Sequence, residues 1–351
     1  MPRLTRNTMD STQSNLYVYV SIAGENKIAI FKMSPDTAAL TPRAEISVYS
    51  PPSILTVHPT RDVLYAAIRA TGDIMSFRID QSTGQLQLMD TRVTGWEDPA
   101  YLEIDKTGEF LIIPYYVPGK VTVYPLRDDG TLQSEPSDTH STGEHAHGVA
   151  IDPSNRSVFI SHTCPTNSIF QFQFDPSTGN LSPNATPQVI PEGEDGPRHI
   201  CFHPSQPFVY ADNEQGSSVT AYKFNASDGT LSAFQTLPTL PESYDGSNSC
   251  ARLEMHPSGK FLYVANRGHD SIAGYVINSD GSLNSIGYFP TEKTPRSFRI
   301  DPSGKFMISA GQSADRLIAY RIDADGGYLY PLDTYDVGME PWWVLIVKGV
   351  G

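Results

Sequence analysis

One phrase recurs six times along this chain: an apolar run, a His-Pro or Asp-Pro pair (once Asp-Lys), a short polar turn and a second β-rich run. Even spacing of this length with strand-type patterning is typical of a β-propeller, in which each repeat forms one blade. The repeat also indicates which positions are equivalent around the ring. The anchor residues, 47, 47, 51, 53 and 45 positions apart, are His58, Asp105, Asp152, His203, His256 and Asp301.

The two ends of the chain supply a seventh repeat. Residues 15–23 resemble the second half of the phrase, and residues 340–347 resemble the strand that leads into each anchor. The N-terminal strand is therefore expected to complete the blade that the C-terminus begins, because such closure removes exposed sheet edges. The prediction is an all-β, seven-bladed propeller in which residues 15–351 form a single domain, preceded by a disordered tail at residues 1–14.

The net charge and the composition of the chain limit the classes of binding partner. The formal net charge of −14 disfavours nucleic acid or an anionic membrane surface. The longest apolar stretch, residues 342–347, is too short to span a bilayer, and the first 14 residues lack the apolar segment of a secretion signal. Three widely separated cysteines, Cys164, Cys201 and Cys250, form no disulfide framework. We therefore expect a cytoplasmic protein without a nucleic-acid or membrane partner; the oligomeric state stays open.

Two sets of equivalent positions carry unusual polar residues. Because the innermost strands of a propeller line one channel, equivalent positions form rings around its axis. Charged side chains are almost never buried without partners, so these rings predict a polar pocket at one channel mouth, although a structural ion-pair network is an open alternative. The position five residues before each anchor holds Ser53, Ala100, His147, Arg198, Ala251 and Arg296, with Trp342 at the matching place. The position eleven residues after each anchor holds Arg69, Tyr116, Thr163, Glu214, Arg267 and Gln312.

The ring residues suit acid–base chemistry on an anion. His147 can transfer a proton near neutral pH, and Glu214 can serve as its complement, either as a base or as the group that orients water. Neighbouring guanidiniums are expected to keep Glu214 ionised and His147 neutral. Arg198 and Arg267 can hold a carboxylate or phosphate, or stabilise an oxyanion. This set suits hydrolysis or formation of a cyclic ester in an anionic small molecule.

The remaining sequence motifs give weaker evidence of function. His58, His203 and His256 have the composition of a metal triad, but they lie in equivalent turns of different blades, so each is expected to cap its own turn. The sequence has no Gly-rich phosphate loop and no dinucleotide fingerprint. We therefore expect no metal site at these histidines.

Six short motifs around the ring positions carry a family resemblance: Ala146-His147-Gly148, Gly196-Pro197-Arg198-His199, Asp212-Asn213-Glu214, Ala265-Asn266-Arg267, Thr294-Pro295-Arg296 and Ala310-Gly311-Gln312. Through them nearly the whole chain, from Leu16 to Val347, resembles the seven-bladed lactonase family, which contains the propeller type of 6-phosphogluconolactonase and fungal 3-carboxy-cis,cis-muconate cyclase. The resemblance implies metal-independent catalysis, without an organic cofactor, by one His, two Arg and one Glu, which fall here on His147, Arg198, Arg267 and Glu214.

The resulting hypothesis is a lactonase that hydrolyses an anionic sugar-acid lactone, such as 6-phosphogluconolactone, by metal-independent acid–base catalysis. A muconate-type lactonising cycloisomerase and a non-catalytic binding platform are the alternatives, since hydrolase and cyclase members of the family share this pocket and fold alone does not dictate function. The residues expected to contact the substrate beside the catalytic set are Arg296, Tyr116, Gln312, Trp342 and Arg69.

Overall fold

The computed structural model describes residues 15–349, and the tail predicted at residues 1–14 lies outside this range. The described chain forms seven four-stranded antiparallel sheets and one short 3-10 helix, Ala23–Glu25. The strands are β1 (Leu16–Ile22), β2 (Lys27–Met33), β3 (Leu40–Ser47), β4 (Pro52–Val57), β5 (Val63–Ile68), β6 (Ile74–Ile79), β7 (Leu86–Arg92), β8 (Glu103–Ile104), β9 (Phe110–Tyr115), β10 (Lys120–Pro125), β11 (Asp138–Ser141), β12 (Ala146–Ile151), β13 (Ser157–His162), β14 (Ser168–Asp175), β15 (Asn180–Val189), β16 (Pro197–Phe202), β17 (Phe208–Asn213), β18 (Ser218–Asn225), β19 (Thr230–Pro238), β20 (Cys250–Met255), β21 (Phe261–Asn266), β22 (Ser271–Ile277), β23 (Leu283–Pro290), β24 (Pro295–Ile300), β25 (Phe306–Gly311), β26 (Arg316–Ile322), β27 (Leu329–Asp336) and β28 (Pro341–Lys348).

The ring closes through the two ends of the chain. β28 is the innermost strand of a sheet whose other strands are β1, β2 and β3. It pairs antiparallel with β1 from Leu16 opposite Lys348 to Ile22 opposite Pro341. The predicted seven-bladed propeller and its closure by N-terminal and C-terminal strands are therefore confirmed. No helix in residues 15–349 is long and apolar enough to cross a membrane.

The repeated anchor residues join neighbouring blades. His58 accepts the backbone N–H of Arg61 at Nδ1 (2.9 Å) and donates from Nε2 to the carbonyl of Gly108 in the next blade (2.8 Å). Asp105 accepts the N–H of Phe110 (2.8 Å) within its own turn and the side-chain amide of Asn155 (2.8 Å) from the next blade. Every anchor caps its own turn, which explains why the sequence uses His or Asp at this position. Among the described residues, four anchors also link two blades, whereas the side chains of the other two, Asp152 and Asp301, hydrogen-bond only within their own turns.

A β-bulge lies near the start of the innermost strands. Register shifts fall between Ala146 and Val149 in β12 and between Pro197 and Ile200 in β16. Corresponding shifts occur in β4, β20 and β24. A bulge interrupts the alternation of a strand and re-aims the side chains within it. In this fold the bulges span the positions five residues before the anchors.

Candidate active site

The two predicted rings lie at the same mouth of the channel. Each position five residues before an anchor falls at or near the start of an innermost strand, and each position eleven residues after an anchor directly follows the neighbouring strand of the same blade. Because these two strands are antiparallel, the start of one lies beside the end of the other. In the β16–β17 pair, Pro197 is opposite Asn213, so Arg198 and Glu214 are neighbours.

Glu214 joins two arginines from different blades. Nε of Arg198 donates to its Oε2 (2.9 Å), and Nη2 of Arg267 donates to its Oε1 (2.9 Å). The same Nη2 also donates to the carbonyl of Cys250 (2.7 Å), and Nη1 of Arg198 donates to the carbonyl of Ala251. The side chains of Arg198, Arg267 and Glu214 are only 4%, 12% and 18% exposed, so the solvent screens this ion pair network weakly.

The arginines fix the charge of this cluster. Burial alone would raise the pKa of Glu214, but the guanidiniums of Arg198 and Arg267 outweigh it and hold the pKa below its usual value. Burial lowers the pKa of Arg198 to about 10, so its guanidinium stays charged at neutral pH. Glu214 is therefore an ionised carboxylate with both oxygens occupied.

His147 is a buried, neutral imidazole beside this cluster. Its ring lies edge-on to His199 (5.0 Å between centroids) and to Tyr116 (5.9 Å). Within residues 15–349 neither ring nitrogen has a hydrogen-bond partner, and Nδ1 is fully buried. Burial, followed by the charge of Arg198, holds the pKa of His147 well below its usual value. The neutral form expected from the sequence is thus the form that this environment favours.

Arg296 is a cation without a counter-charge. Its guanidinium lies 3.7 Å from the centroid of a Trp342 ring, and Arg69 lies 5.5 Å from that indole. Arg69 forms an ion pair with Asp98, whereas Arg296 forms no hydrogen bond or ion pair with any described residue. Burial and the three other arginines hold the pKa of Arg296 well below its usual value. The unpaired guanidinium favours an anionic ligand, which would offset this repulsion.

Tyr116 and Gln312 complete the predicted set in different ways. The Tyr116 hydroxyl hydrogen-bonds to that of Thr163 (3.1 Å), and its ring stacks on His145 at 4.2 Å. Arg69 lies 5.9 Å from the Tyr116 ring, and His199 contacts both His147 and Arg198. These contacts connect eight of the nine predicted residues into one network. Gln312 follows β25 at the same mouth and its backbone N–H donates to the carbonyl of Thr294 (2.9 Å), but its side chain forms no hydrogen bond within residues 15–349.

A second layer of side chains, which the sequence analysis did not predict, supports the predicted ring residues. One position after the predicted ring, His199 places Nδ1 2.9 Å from Nη1 of Arg198. Tyr101 packs on His199 at 5.5 Å, and Arg252 lies 4.6 Å from a ring of Trp343. The bulges turn two consecutive residues toward the channel, so counting four as well as five residues before each anchor would have found this layer.

Asp212 is a further buried group that spacing did not indicate. Its Oδ1 accepts the backbone N–H of His199 (2.8 Å), while its Oδ2 is buried and has no partner in the described chain. Burial raises the pKa of Asp212 to about 7. Buried polar atoms without partners are rare in proteins, and four belong to this site and its second layer: His147 Nδ1, Asp212 Oδ2, Arg267 Nε and Arg252 Nε. Residues 15–349 contain no group of three His, Cys, Asp or Glu that could hold a metal ion.

The fold and the site define the class of protein: a seven-bladed propeller with a polar, arginine-rich pocket at one mouth of its channel. Comparison with known proteins gives the family. The family model described as "Lactonase, 7-bladed beta-propeller" matches residues 15–346, and the chain belongs to this family. The 6-phosphogluconolactonase of Pectobacterium carotovorum is 32% identical over 331 residues, which cover 94% of this chain and 98% of that one. The 6-phosphogluconolactonase of Bacillus subtilis is 26% identical over 79% of this chain and 82% of its own.

Solved structures agree on the fold. The periplasmic gluconolactonase of Pseudomonas aeruginosa superposes with a TM-score of 0.87 at 24% identity, and the match covers 96% of this chain and 99% of that chain. At this identity the likeness shows the propeller fold alone.

Proposed function

We propose that the protein is a lactonase that hydrolyses an anionic sugar-acid lactone, with 6-phosphogluconolactone as the first candidate. The observation that carries the proposal is the unpaired guanidinium of Arg296 at the same mouth as the Arg198–Glu214–Arg267 cluster and the neutral His147. An anionic group on the substrate would offset the excess positive charge. The relatives named 6-phosphogluconolactonase support the choice of substrate.

In the proposed reaction, His147 carries the proton. Neutral His147 removes a proton from a water molecule as the water oxygen attacks the lactone carbonyl carbon, and the carbonyl electron pair moves onto its oxygen. Nη2 of Arg198 and Nη1 of Arg267, which have no acceptor among the described residues, stabilise this oxyanion. When the carbonyl re-forms, the bond to the ring oxygen breaks and His147 returns the proton to that oxygen. The product is the open hydroxy acid, and the scheme uses no metal ion.

Glu214 takes a positioning role in this scheme. The sequence analysis gives His147 and Glu214 a shared acid–base task. Both oxygens of Glu214 accept guanidinium N–H groups, and the lowered pKa keeps it an ionised carboxylate that carries no proton to donate. We assign it the orientation of Arg198 and Arg267 and of the attacking water, and leave the proton transfers to His147.

The test is hydrolysis of 6-phosphogluconolactone, followed as acid release in a pH-stat and corrected for the spontaneous rate. We expect a rate above background that His147→Gln abolishes, that His140→Gln on the outer strand β11 preserves, and that EDTA leaves unchanged. A rate equal to background for this lactone and for unphosphorylated sugar lactones contradicts the proposal. Loss of carboxymuconate absorbance instead would identify the lactonising cycloisomerase, and neither activity would favour the binding platform.

We also propose a cytoplasmic location. The three cysteines, Cys164, Cys201 and Cys250, are free thiols, which suits a reducing compartment. Fractionation of the native cells tests this, because activity in an osmotic-shock fraction would place the protein outside the cytoplasm.

A further inference from the structure

A cavity of about 420 Å³ adjoins the candidate active site at the same channel mouth. This volume is within the range of about 300–1,000 Å³ that is usual for small-molecule sites. Arg69 and Trp342 belong both to the cavity wall and to the arginine-rich network, so one ligand could occupy both spaces. The lining residues are Ala23, Pro51, Pro52, Ser53, Arg69, Ala70, Glu97, Asp98, Val117 and Trp342.

The cavity wall is mainly apolar. Seven of its lining residues carry no charged group, and five of these are Ala, Pro or Val. The polar side chains that are present are engaged or unsuitable: Arg69 is paired with Asp98, and the Ser53 hydroxyl donates to the carbonyl of Ala67 (3.1 Å). Glu97 is exposed and would repel an anion. Sugar hydroxyls would lose their hydrogen bonds to water here, whereas an apolar group would lose nothing.

Trp342 borders both spaces. Arg296 lies 3.7 Å from a centroid of its indole and has no carboxylate partner among residues 15–349. Trp342 also lines the cavity, together with small apolar residues such as Pro52 and Ala70. A ligand that spans Trp342 would therefore present an anion to one side and an apolar group to the other.

We propose that this cavity is a second subsite and that the enzyme prefers anionic lactones that carry an aromatic or branched-alkyl substituent. The inference rests on the proposed lactonase function and extends its substrate class beyond sugar-acid lactones. A simple sugar-acid lactone would use the arginines and leave the cavity without an apolar occupant. An apolar substituent that fills the cavity is removed from water, which adds hydrophobic binding energy. That binding energy raises kcat/KM for lactones that carry the substituent.

The experiment compares two lactones that share one anionic group: γ-carboxy-γ-butyrolactone and its α-benzyl derivative. We expect kcat/KM to be at least about tenfold higher for the benzyl lactone, as hydrophobic pockets discriminate by about 10- to 200-fold per added group. Ala70→Phe, which fills the cavity from an exposed position, should bring this ratio close to one. Val93→Asp is the matched control, because Val93 is 69% exposed and lies outside the cavity wall, so the ratio should persist.

Binding of the product hydroxy acids by calorimetry separates the two proposals. Tighter binding of the benzyl acid to the native chain, lost in Ala70→Phe, supports the subsite even if no lactone is hydrolysed. Equal affinity and equal kcat/KM for the pair overturn the subsite while the lactonase function stands. Hydrolysis of neither lactone, nor of 6-phosphogluconolactone, overturns the proposed function instead.

Discussion

The guanidinium of Arg296 lies 3.7 Å from the centroid of a Trp342 ring and forms no ion pair with any described residue. A flat guanidinium on an indole face gains cation–π energy, which holds the side chain in place without neutralising it. Burial, followed by the repulsion of three further arginines, lowers the pKa of Arg296. The pairing keeps a positive charge fixed and available at the mouth of the channel.

Replacing Arg296 with Met should weaken substrate binding more than turnover. The variant keeps the length of the side chain but removes the charge, and a charged hydrogen bond of about 1.5–3 kcal/mol corresponds to a KM increase of about 10- to 100-fold. Steady-state kinetics with an anionic lactone measure this. Arg78→Met, which removes an exposed charge from β6, should leave KM unchanged. A fall in kcat with an unchanged KM would contradict a binding role for Arg296.

Glu214→Gln should lower both stability and activity. Loss of the carboxylate leaves Arg198 and Arg267 facing each other, and removal of one partner of a buried pair costs about 3–5 kcal/mol, less here because Glu214 is 18% exposed. The folded pKa of Glu214 is lowered, so its stabilisation is present above the unfolded value near 4.5 and is lost as the pH falls through the folded pKa.

Thermal unfolding at several pH values tests this prediction. The difference between native chain and Glu214→Gln should be large at pH 7 and should shrink in acid below pH 4.5. Glu109→Gln is the control, since the Arg61–Glu109 pair is exposed (24% and 50%) and such pairs contribute about 0.2–1 kcal/mol. Equal losses in the two variants would show that Glu214 is an ordinary surface partner.

The sequence period was sufficient to predict the architecture and which residues meet at the candidate site. Anchors such as His58 and Asp105 repeat because each blade needs a cap for the same turn, and these two also bond to the next blade. The same geometry requires positions five residues before an anchor and eleven after it to meet at one mouth, as Arg198 and Glu214 do. The sequence repeat predicts these positions because all blades share the same backbone hydrogen bonding, so equivalent residues lie at equivalent places in each blade.

Local backbone geometry hid the rest of the candidate site. His199 joins the site because a bulge breaks the strand alternation beside Arg198, whereas regular alternation would place neighbouring residues on opposite faces. Asp98 pairs with Arg69 from a backbone with φ of 62°, which is unfavourable for residues other than glycine, and His145 has the same φ. Such strained positions depend on tertiary contacts and cannot be deduced from spacing.

In the pH profile of kcat/KM, the acid limb, where activity falls as the pH is lowered, should lie below pH 6.5. His147 must be neutral to accept a proton, and its folded pKa lies well below 6.5, so activity should persist as the pH falls through 6.5 and decline only in stronger acid. Asp212 has a pKa of about 7 and could add a limb there through His199. Asp212→Asn would remove such a limb, so a limb at or above pH 6.5 that survives in this variant contradicts a neutral, buried His147.

Asp212→Asn should stabilise the fold at alkaline pH. The folded pKa of about 7 lies above the unfolded value of 3.8, so ionised Asp212 costs stability fully above pH 7, and the cost disappears as the pH falls from 7 toward 3.8. An amide keeps the acceptor for the His199 N–H and removes the charge, for a gain of about 1–3 kcal/mol. The melting temperature should rise at pH 8 and change little at pH 5. Exposed Asp245→Asn is the control, and a fall at pH 8 for Asp212→Asn would mean that the charge is favourable.

Gly148→Ala should disrupt the site through the backbone of Arg198. A Cβ at Gly148 would lie 2.4 Å from the Arg198 carbonyl oxygen, which also accepts the hydroxyl of Ser161 (2.6 Å). The strand β16 must move away, and with it the guanidinium that binds Glu214. A displacement of about 1 Å can cost about 100-fold in rate, and overpacking costs about 1–3 kcal/mol.

Kinetics and thermal unfolding of the two alanine variants at Gly148 and Gly193 test this requirement. Gly193 is exposed, and the nearest atom to its added Cβ would be 3.9 Å away, so Gly193→Ala should behave as the native chain. In Gly148→Ala, kcat/KM should fall with the melting temperature, because the same close approach of β12 and β16 packs the channel and positions Arg198. Native kinetics in Gly148→Ala would mean that the arginine does not depend on this approach, and that its contacts with Glu214 and Ala251 are sufficient to hold it.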